Sequence, residues 1–222
     1  MKPYIVCHMM QSIDGRIACD MVDKISGEEY YTALESLNCP SVIEGKYSYQ
    51  LHTCGFDKFQ PSNMKSINKE VFFKAEDSDG YEISVDNRGE LLWDKTDNKK
   101  RLCILSEEVS EEYLDYLKEK GISYIVSGKE KINLKKAVTI LYENFSVKRL
   151  AVVGGGKING AFLEAGLLDE LSIMIAPGID GRSGQPSLFD GIKDKENFIP
   201  QKIKFKSFST FENGVVWIRY EL

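Results

Sequence analysis

Histidine is scarce in this sequence: only His8 and His52 occur among 222 residues. No H-E-x-x-H pair, no G-x-S-x-G elbow and no cluster at metal-ligand spacing is present, so hydrolase and metalloenzyme chemistry lack the residues to carry them, and no metal is expected. Long apolar runs are missing too. Nothing approaches the about 18 consecutive apolar residues that a spanning helix needs, so no membrane partner is expected. The first apolar stretch, Tyr4 to Cys7, is too short for a signal-peptide core and meets His8 at once. The five cysteines are odd in number and form no C-x-x-C pair, which argues against a disulfide framework or a zinc site. Without an export signal, a reducing cytoplasm fits best. Cys7 and Cys103 lie in apolar runs and read as core thiols. Net positive charge is also lacking. The formal charge is −5, and Lys99-Lys100-Arg101 reads as a solvated strand entry, so no nucleic-acid partner is expected.

What is present suits a globular enzyme. Hydrophobic residues make up 42% and charged residues 28%, enough to build a full core. With no internal repeat and no linker, residues 1–222 read as a single domain. Short apolar strands are expected at 3–10, 41–44, 82–86, 102–105, 124–126, 150–153 and 171–176. Between them lie amphipathic segments. One helix should start from a capping box of Ser26 and Glu29, carry Tyr30, Leu34 and Leu37, and stop at Pro40. A second begins at Ser110 and closes at Gly121, and a third runs from about Leu134. A fourth lies near Gly160 to Ala165. The stretch 50–79 reads as loop with some strand or helix. Strands alternating with helices point to an α/β fold with a mainly parallel central sheet flanked by helices. The C-terminus differs, because two alternating runs joined at Asn213-Gly214 predict an antiparallel hairpin.

Three loops could carry chemistry. Val152-Val153-Gly154-Gly155-Gly156-Lys157 ends a strand in consecutive glycines and opens a helix. There the backbone can approach a phosphate, helix N–H groups can point at it, and Lys157 adds charge. The bland alternative is tight helix–sheet packing. The Rossmann fingerprint is excluded because its third glycine position is Asn159, and the Walker loop because no Gly-Lys-Ser/Thr follows. Gly45-Lys46-Tyr47-Ser48 repeats the theme with a cation and a hydroxyl, against the alternative of a surface turn. Ser12-Ile13-Asp14-Gly15 places a carboxylate at a strand end, where α/β enzymes hold substrate; a plain turn is the competing reading.

In order, H-M-M-Q-S-I-D-G-R-I from His8, E-G-K-Y-S from Glu44, V-D-N-R-G-E-L-L-W from Val85, G-G-G-K-I-N-G-A-F-L-E-A-G-L-L-D-E-L-S from Gly154 and A-P-G-I-D-G from Ala176 resemble the riboflavin-biosynthesis reductase domain. The resemblance runs from about Pro3 to Gly191. It implies a dihydrofolate-reductase-like fold, an NADPH-dependent reductase and a homodimer. The implied substrate is small, an aminopyrimidine ribosyl phosphate or another heterocyclic or carbonyl compound. It also implies cofactor contacts at Gly45, Lys46, Ser48, Asn87, Gly154, Gly155, Gly156, Lys157, Ile158 and Asn159. Met10, Ser12 and Asp14 would border substrate and nicotinamide, with Asp14 the catalytic candidate for proton delivery. Lys46, with Arg88 second, would meet the 2′-phosphate. No deaminase domain is expected ahead of the first strand. Two departures stand out. The family carries glutamate before the glycine pair where this chain has Val153, and the basic substrate-phosphate site is not evident between Phe56 and Pro61. A non-catalytic NADPH-binding sensor of the same fold is the alternative. A folate-type reductase lacks its acidic helix residue.

Overall fold

The computed structural model describes residues 1–63, 65–93, 99–191 and 200–222. In chain order the elements are β1 (Tyr4–Gln11), α1 (Cys19–Ile25), α2 (Glu29–Ser36), β2 (Ser41–Gly45), α3 (Lys46–Tyr49) running into a π-turn at Gln50–Cys54, and β3 (Val71–Phe73). They continue with β4 (Glu82–Val85), β5 (Arg101–Leu105), α4 (Glu111–Glu119), β6 (Ser123–Val126), α5 (Leu134–Asn144), β7 (Arg149–Val152), α6 (Gly156–Glu164), β8 (Glu170–Ile175), β9 (Lys204–Thr210) and β10 (Val216–Glu221). They form two compact units, Met1–Pro3 with Pro40–Leu150, and Tyr4–Cys39 with Ala151–Leu222.

The first unit is built on strands in the order β3-β6-β5-β4-β2. β2, β4, β5 and β6 run parallel, and β3 joins the edge antiparallel. Every residue of β5 and β6 is buried, as parallel strands covered on both faces require. Helix α4 starts as expected: the Ser110 hydroxyl accepts the Tyr113 N–H, and Glu111 and Glu112 meet the positive end of the helix. Its apolar face, Tyr113, Leu114 and Leu117, packs with Leu91, Trp93, Leu105 and Val126. In α5, Asn133 caps the start and Ala137, Val138 and Leu141 are buried.

The second unit places β1 parallel to β8, β10 antiparallel to β8, and β9 antiparallel to β10. The C-terminal hairpin is therefore present. A register shift opposite Arg219 and Tyr220 breaks the alternation along β9 and leaves both Phe205 and Phe208 exposed. The capping box did not form. Ser26 donates to Val22 O at 2.8 Å and closes α1, a helix that the sequence reading missed. Glu29 instead accepts Gly27 N–H at 2.7 Å and the Asn213 amide at 2.6 Å, and α2 starts without a side-chain cap. Gly27 separates two short helices where one was expected. Helix α6 starts at Gly156, a turn before the expected Gly160, because glycine carries no helix-forming signal to reveal it.

His8 is a core residue of this unit. Its Nε2 lies 3.0 Å from Tyr30 O, which can only accept, so that nitrogen bears the proton. Nδ1 then accepts from Ser172 Oγ at 2.9 Å, and Ser172 Oγ accepts Trp217 Nε1–H at 2.7 Å. Both nitrogens are satisfied in the neutral form, the ring stacks on Tyr30 at 4.5 Å, and burial pulls the pKa down to about 4. Burial likewise pushes the Cys7 thiol up to about 12, so it stays inert. Between pH 6.5 and 4 the unfolded histidine takes a proton that the folded one refuses. The stability held above pH 6.5 is therefore lost as pH falls, by about 3 kcal/mol at the lower end. Urea unfolding at pH 7 and pH 4.5 should show this loss in the wild type and a smaller one in His8→Gln. Equal losses would assign it to other groups.

Candidate active site

The expected site residues fall into two groups, one in each unit. In the second unit, β7 delivers the glycine turn. Gly154 has φ +114, a region closed to most side chains, and a Cβ there would lie 3.2 Å from the Met9 thioether. The Gly154–Gly155 peptide is cis. Gly155 then caps α6 with no side-chain bond, and the first N–H groups of that helix have no intrahelical partner. Such unpaired N–H groups at a helix start are the kind of donors that can meet an anion. Lys157 is exposed on the first turn, while Ile158 and Asn159 are buried.

The remaining glycines serve packing, the alternative reading of this motif. A Cβ on Gly156 would sit 2.3 Å from Ser187 O, and one on Gly160 would sit 2.1 Å from Asp190 O. A strap formed by residues 187–190 lies against the helix. Asp190 N–H donates to Gly156 O at 2.9 Å, and Asn159 Nδ2 donates to Leu188 O at 2.8 Å. The Asp190 carboxylate accepts Ser187 N–H at 2.9 Å and Ser187 Oγ–H at 2.6 Å. Asn159, expected to touch cofactor, thus spends its amide N–H on the strap; its buried Oδ1 has no hydrogen-bond partner.

The S-x-D-G turn is also braced from within. Ser12 is buried, donates to Asp14 Oδ1 at 2.6 Å and accepts Arg16 N–H at 3.0 Å. Asp14 then accepts the N–H groups of Asp180 and Gly181, each at 2.9 Å. The Ser12 bond and these two amides hold its carboxyl well below the usual range. The carboxylate thus accepts one hydroxyl and two backbone N–H groups within its own unit. Met10, expected beside substrate, is 4% exposed and packs with Ala33, Met174, Ala176 and Val215.

In the first unit, Gly45 ends β2 and Lys46 opens α3, with Ser48 half-buried one turn on. Lys46 Nζ reaches Glu90 Oε2 at 2.5 Å and Asp86 Oδ1 at 3.6 Å, and Lys58 reaches the same Glu90 oxygen at 3.1 Å. Burial opposes the Lys46 charge, but Glu90 and Asp86 outweigh it and hold the amine above its usual range. Asp86 is fully buried at the end of β4. Its desolvation raises the carboxyl pKa against the opposing pull of Leu91 N–H and Lys46. Asn87 commits its amide to Glu130 O at 2.9 Å and Ile132 N–H at 3.2 Å, and Arg88 pairs with Glu108 at 3.0 Å. Asp86 and Glu90 were missed in the sequence. The signal for Asp86 was there: a strand-end Asp before Asn-Arg-Gly, where its side chain can accept backbone N–H groups across the turn. Among the described residues, no group of three His, Cys, Asp or Glu could hold a metal.

A mainly parallel sheet, a diglycine turn between strand and helix, and a terminal antiparallel hairpin define a dihydrofolate-reductase-like α/β chain. More narrowly, the chain belongs to the RibD C-terminal domain family, whose pattern matches residues 55–217. It is 31% identical over 101 residues to a 2,5-diamino-6-ribosylamino-4(3H)-pyrimidinone 5′-phosphate reductase of Aquifex aeolicus, covering 45% of each chain. It is 34% identical over 77 residues to the riboflavin biosynthesis protein RibD of Bacillus amyloliquefaciens, of which it spans 20%. With a reductase of the same name from Methanothermobacter thermautotrophicus it shares 24% over 224 residues, covering 97% of each. In structure it is similar to a pyrimidine reductase-like protein of Corynebacterium diphtheriae, with TM-score 0.72 at 18% identity over 99% of this chain and 91% of that one. The riboflavin biosynthesis reductase Rib7 of Saccharomyces cerevisiae gives TM-score 0.60 at 17% identity over 100% and 90%.

Gly160→Ala should displace the strap and cost about 1–3 kcal/mol in denaturant unfolding, since the clash is with backbone that cannot rotate away. Unchanged stability would show that the strap is not seated on α6.

Proposed function

We propose that this chain is an NADPH-dependent reductase acting on a small heterocyclic or carbonyl compound, in the manner of the ribosylaminopyrimidine phosphate reductases it resembles. Membership of the RibD C-terminal domain family carries this reading, and the cradle at Gly154 to Gly156 supports it. Residues 1–222 would work as one reductase domain, in the cytoplasm and as a homodimer.

When bound, the nicotinamide supplies the hydride. The chain's own part is to bind and orient. Gly154, Gly155 and the first N–H groups of α6 would take the diphosphate, with Lys157 adding charge. In the first unit, the family resemblance makes Lys46 and Ser48 cofactor contacts, with Lys46 the candidate for the adenosine 2′-phosphate. Ser12 and Asp14 hold the 178–181 backbone in place, so Asp14 is a positioning residue for substrate rather than a proton donor. Asp14→Asn should therefore lower kcat by less than about tenfold, whereas losing a general acid costs about 100-fold or more.

NADPH oxidation measured with ribosylaminopyrimidine phosphates, pterins and carbonyl compounds tests the activity. Gly155 has φ −80 and ψ −168, a region open to side chains, so Gly155→Val is the variant of choice once its circular dichroism and melting temperature match the wild type. Its NADPH affinity should fall at least about tenfold by steric exclusion from the cradle; wild-type affinity would remove the diphosphate from this turn. Val153, in place of the family's glutamate, favours a second reading as a nucleotide sensor. Calorimetric binding without turnover on any substrate would select it.

A further inference from the structure

The Lys46 ammonium is already engaged by two carboxylates, and they differ in kind. Asp86 is sealed from solvent, and its Oδ2 holds the N–H groups of Glu90 at 2.5 Å and Leu91 at 2.8 Å. Its Oδ1 has no hydrogen-bond partner among the described residues and lies 3.6 Å from the Lys46 ammonium. Removing Asp86 would dismantle the turn. Glu90 is different: its side chain is 29% exposed, and the turn uses only its backbone N–H. The carboxylate draws Lys46 to 2.5 Å and Lys58 to 3.1 Å. Two lysines and two carboxylates thus sit balanced at the start of α3, with one carboxylate replaceable.

This arrangement bears on the two forms of the dinucleotide, and it rests on the reading that the adenosine end of the cofactor lies at Lys46. A 2′-phosphate brings about two negative charges next to Glu90 and competes with it for both lysines. A 2′-hydroxyl brings none, and can donate a hydrogen bond to the Glu90 carboxylate. We propose that Glu90 is the specificity-determining residue of this site. By holding Lys46 and Lys58 it penalises the phosphorylated ribose, so that the wild-type chain binds NADH and NADPH within about tenfold of one another.

The test is direct titration of the full-length chain with NADH and with NADPH. In Glu90→Gln, Lys58 and Lys46 lose the carboxylate they share, Lys46 keeps only the more distant Asp86 at 3.6 Å of its two carboxylates, one like charge disappears, and the backbone N–H that Asp86 needs remains. The ratio of the NADH Kd to the NADPH Kd should rise about tenfold. In Lys58→Gln, at a half-exposed lysine, the same ratio should fall, because a cation available to the phosphate is lost. Both nucleotides binding with ratios unchanged in both variants would overturn the proposal and leave the cofactor reading intact. A wild-type preference for NADPH far above tenfold would overturn it as well. Binding of neither nucleotide to the wild type would overturn the cofactor reading and this proposal with it.

Discussion

At Gly156 and Gly160 no side chain fits between helix α6 and the strap at residues 187–190. A Cβ at Gly160 would stand 2.1 Å from Asp190 O, so backbone meets backbone there without an intervening layer. That approach fixes the rest of the turn. It seats Asp190 N–H on Gly156 O and Leu188 O on the Asn159 amide, and so sets the direction in which the first turn of α6 points. The turn proposed to take an anion is the N-terminal end of the same helix. Its open N–H groups exist because Gly155 offers no side-chain cap, and their direction is stable because the strap holds the helix from the side.

Several carboxylates among the described residues brace the backbone or gather side chains. Asp14 grips two backbone N–H groups of the 178–181 loop, Asp86 grips two across its own turn, and Asp190 closes the strap on Ser187. Buried Glu170 gathers Tyr4, Lys206 and Arg219 at the base of the hairpin, and these partners hold its carboxyl below the usual range against the opposing cost of burial. His8 is satisfied as the neutral ring. Titratable side chains are thus spent on shape. Such an economy suits a protein whose redox chemistry would come with a cofactor, because what remains for the chain is to position a ligand and keep its loops still.

The strands and the long helices were legible because their signals are local. The buried run of β5, the Ser110 cap and the 3.6-residue spacing of α5 each follow from a few neighbouring residues. The misses share a cause. Ser26 and Glu29 have the spacing of a capping box, yet Glu29 bonds Asn213, which lies 184 residues away, and no local pattern reports such a partner. The start of α6 hid behind glycines whose helical fit comes from the strap. The candidate segments lie at strand ends, two of them running into helices, and several of their side chains have partners within the fold. Asn87, Asn159 and Ser12 carry polar groups that the sequence offers to a ligand and the fold spends on its own backbone. Whether a polar residue at a strand end faces a ligand or a neighbouring loop depends on tertiary contacts, which spacing alone does not encode.

The glycine motif shows how one short sequence serves both purposes at once. Gly156 and Gly160 are required by the strap, with backbone oxygens closer than any Cβ allows. Gly154 is required by its own φ of +114 and by Met9 behind it. Gly155 combines φ and ψ values open to side chains with the capping position at the start of α6. A substitution at Gly156 or Gly160 that abolishes ligand binding would therefore be ambiguous, since an unseated helix loses its direction before any ligand is blocked. At Gly155 added bulk would meet the open N–H groups while φ and ψ stay in a region open to side chains. The position that reports on function is the one where the fold makes the weakest demand.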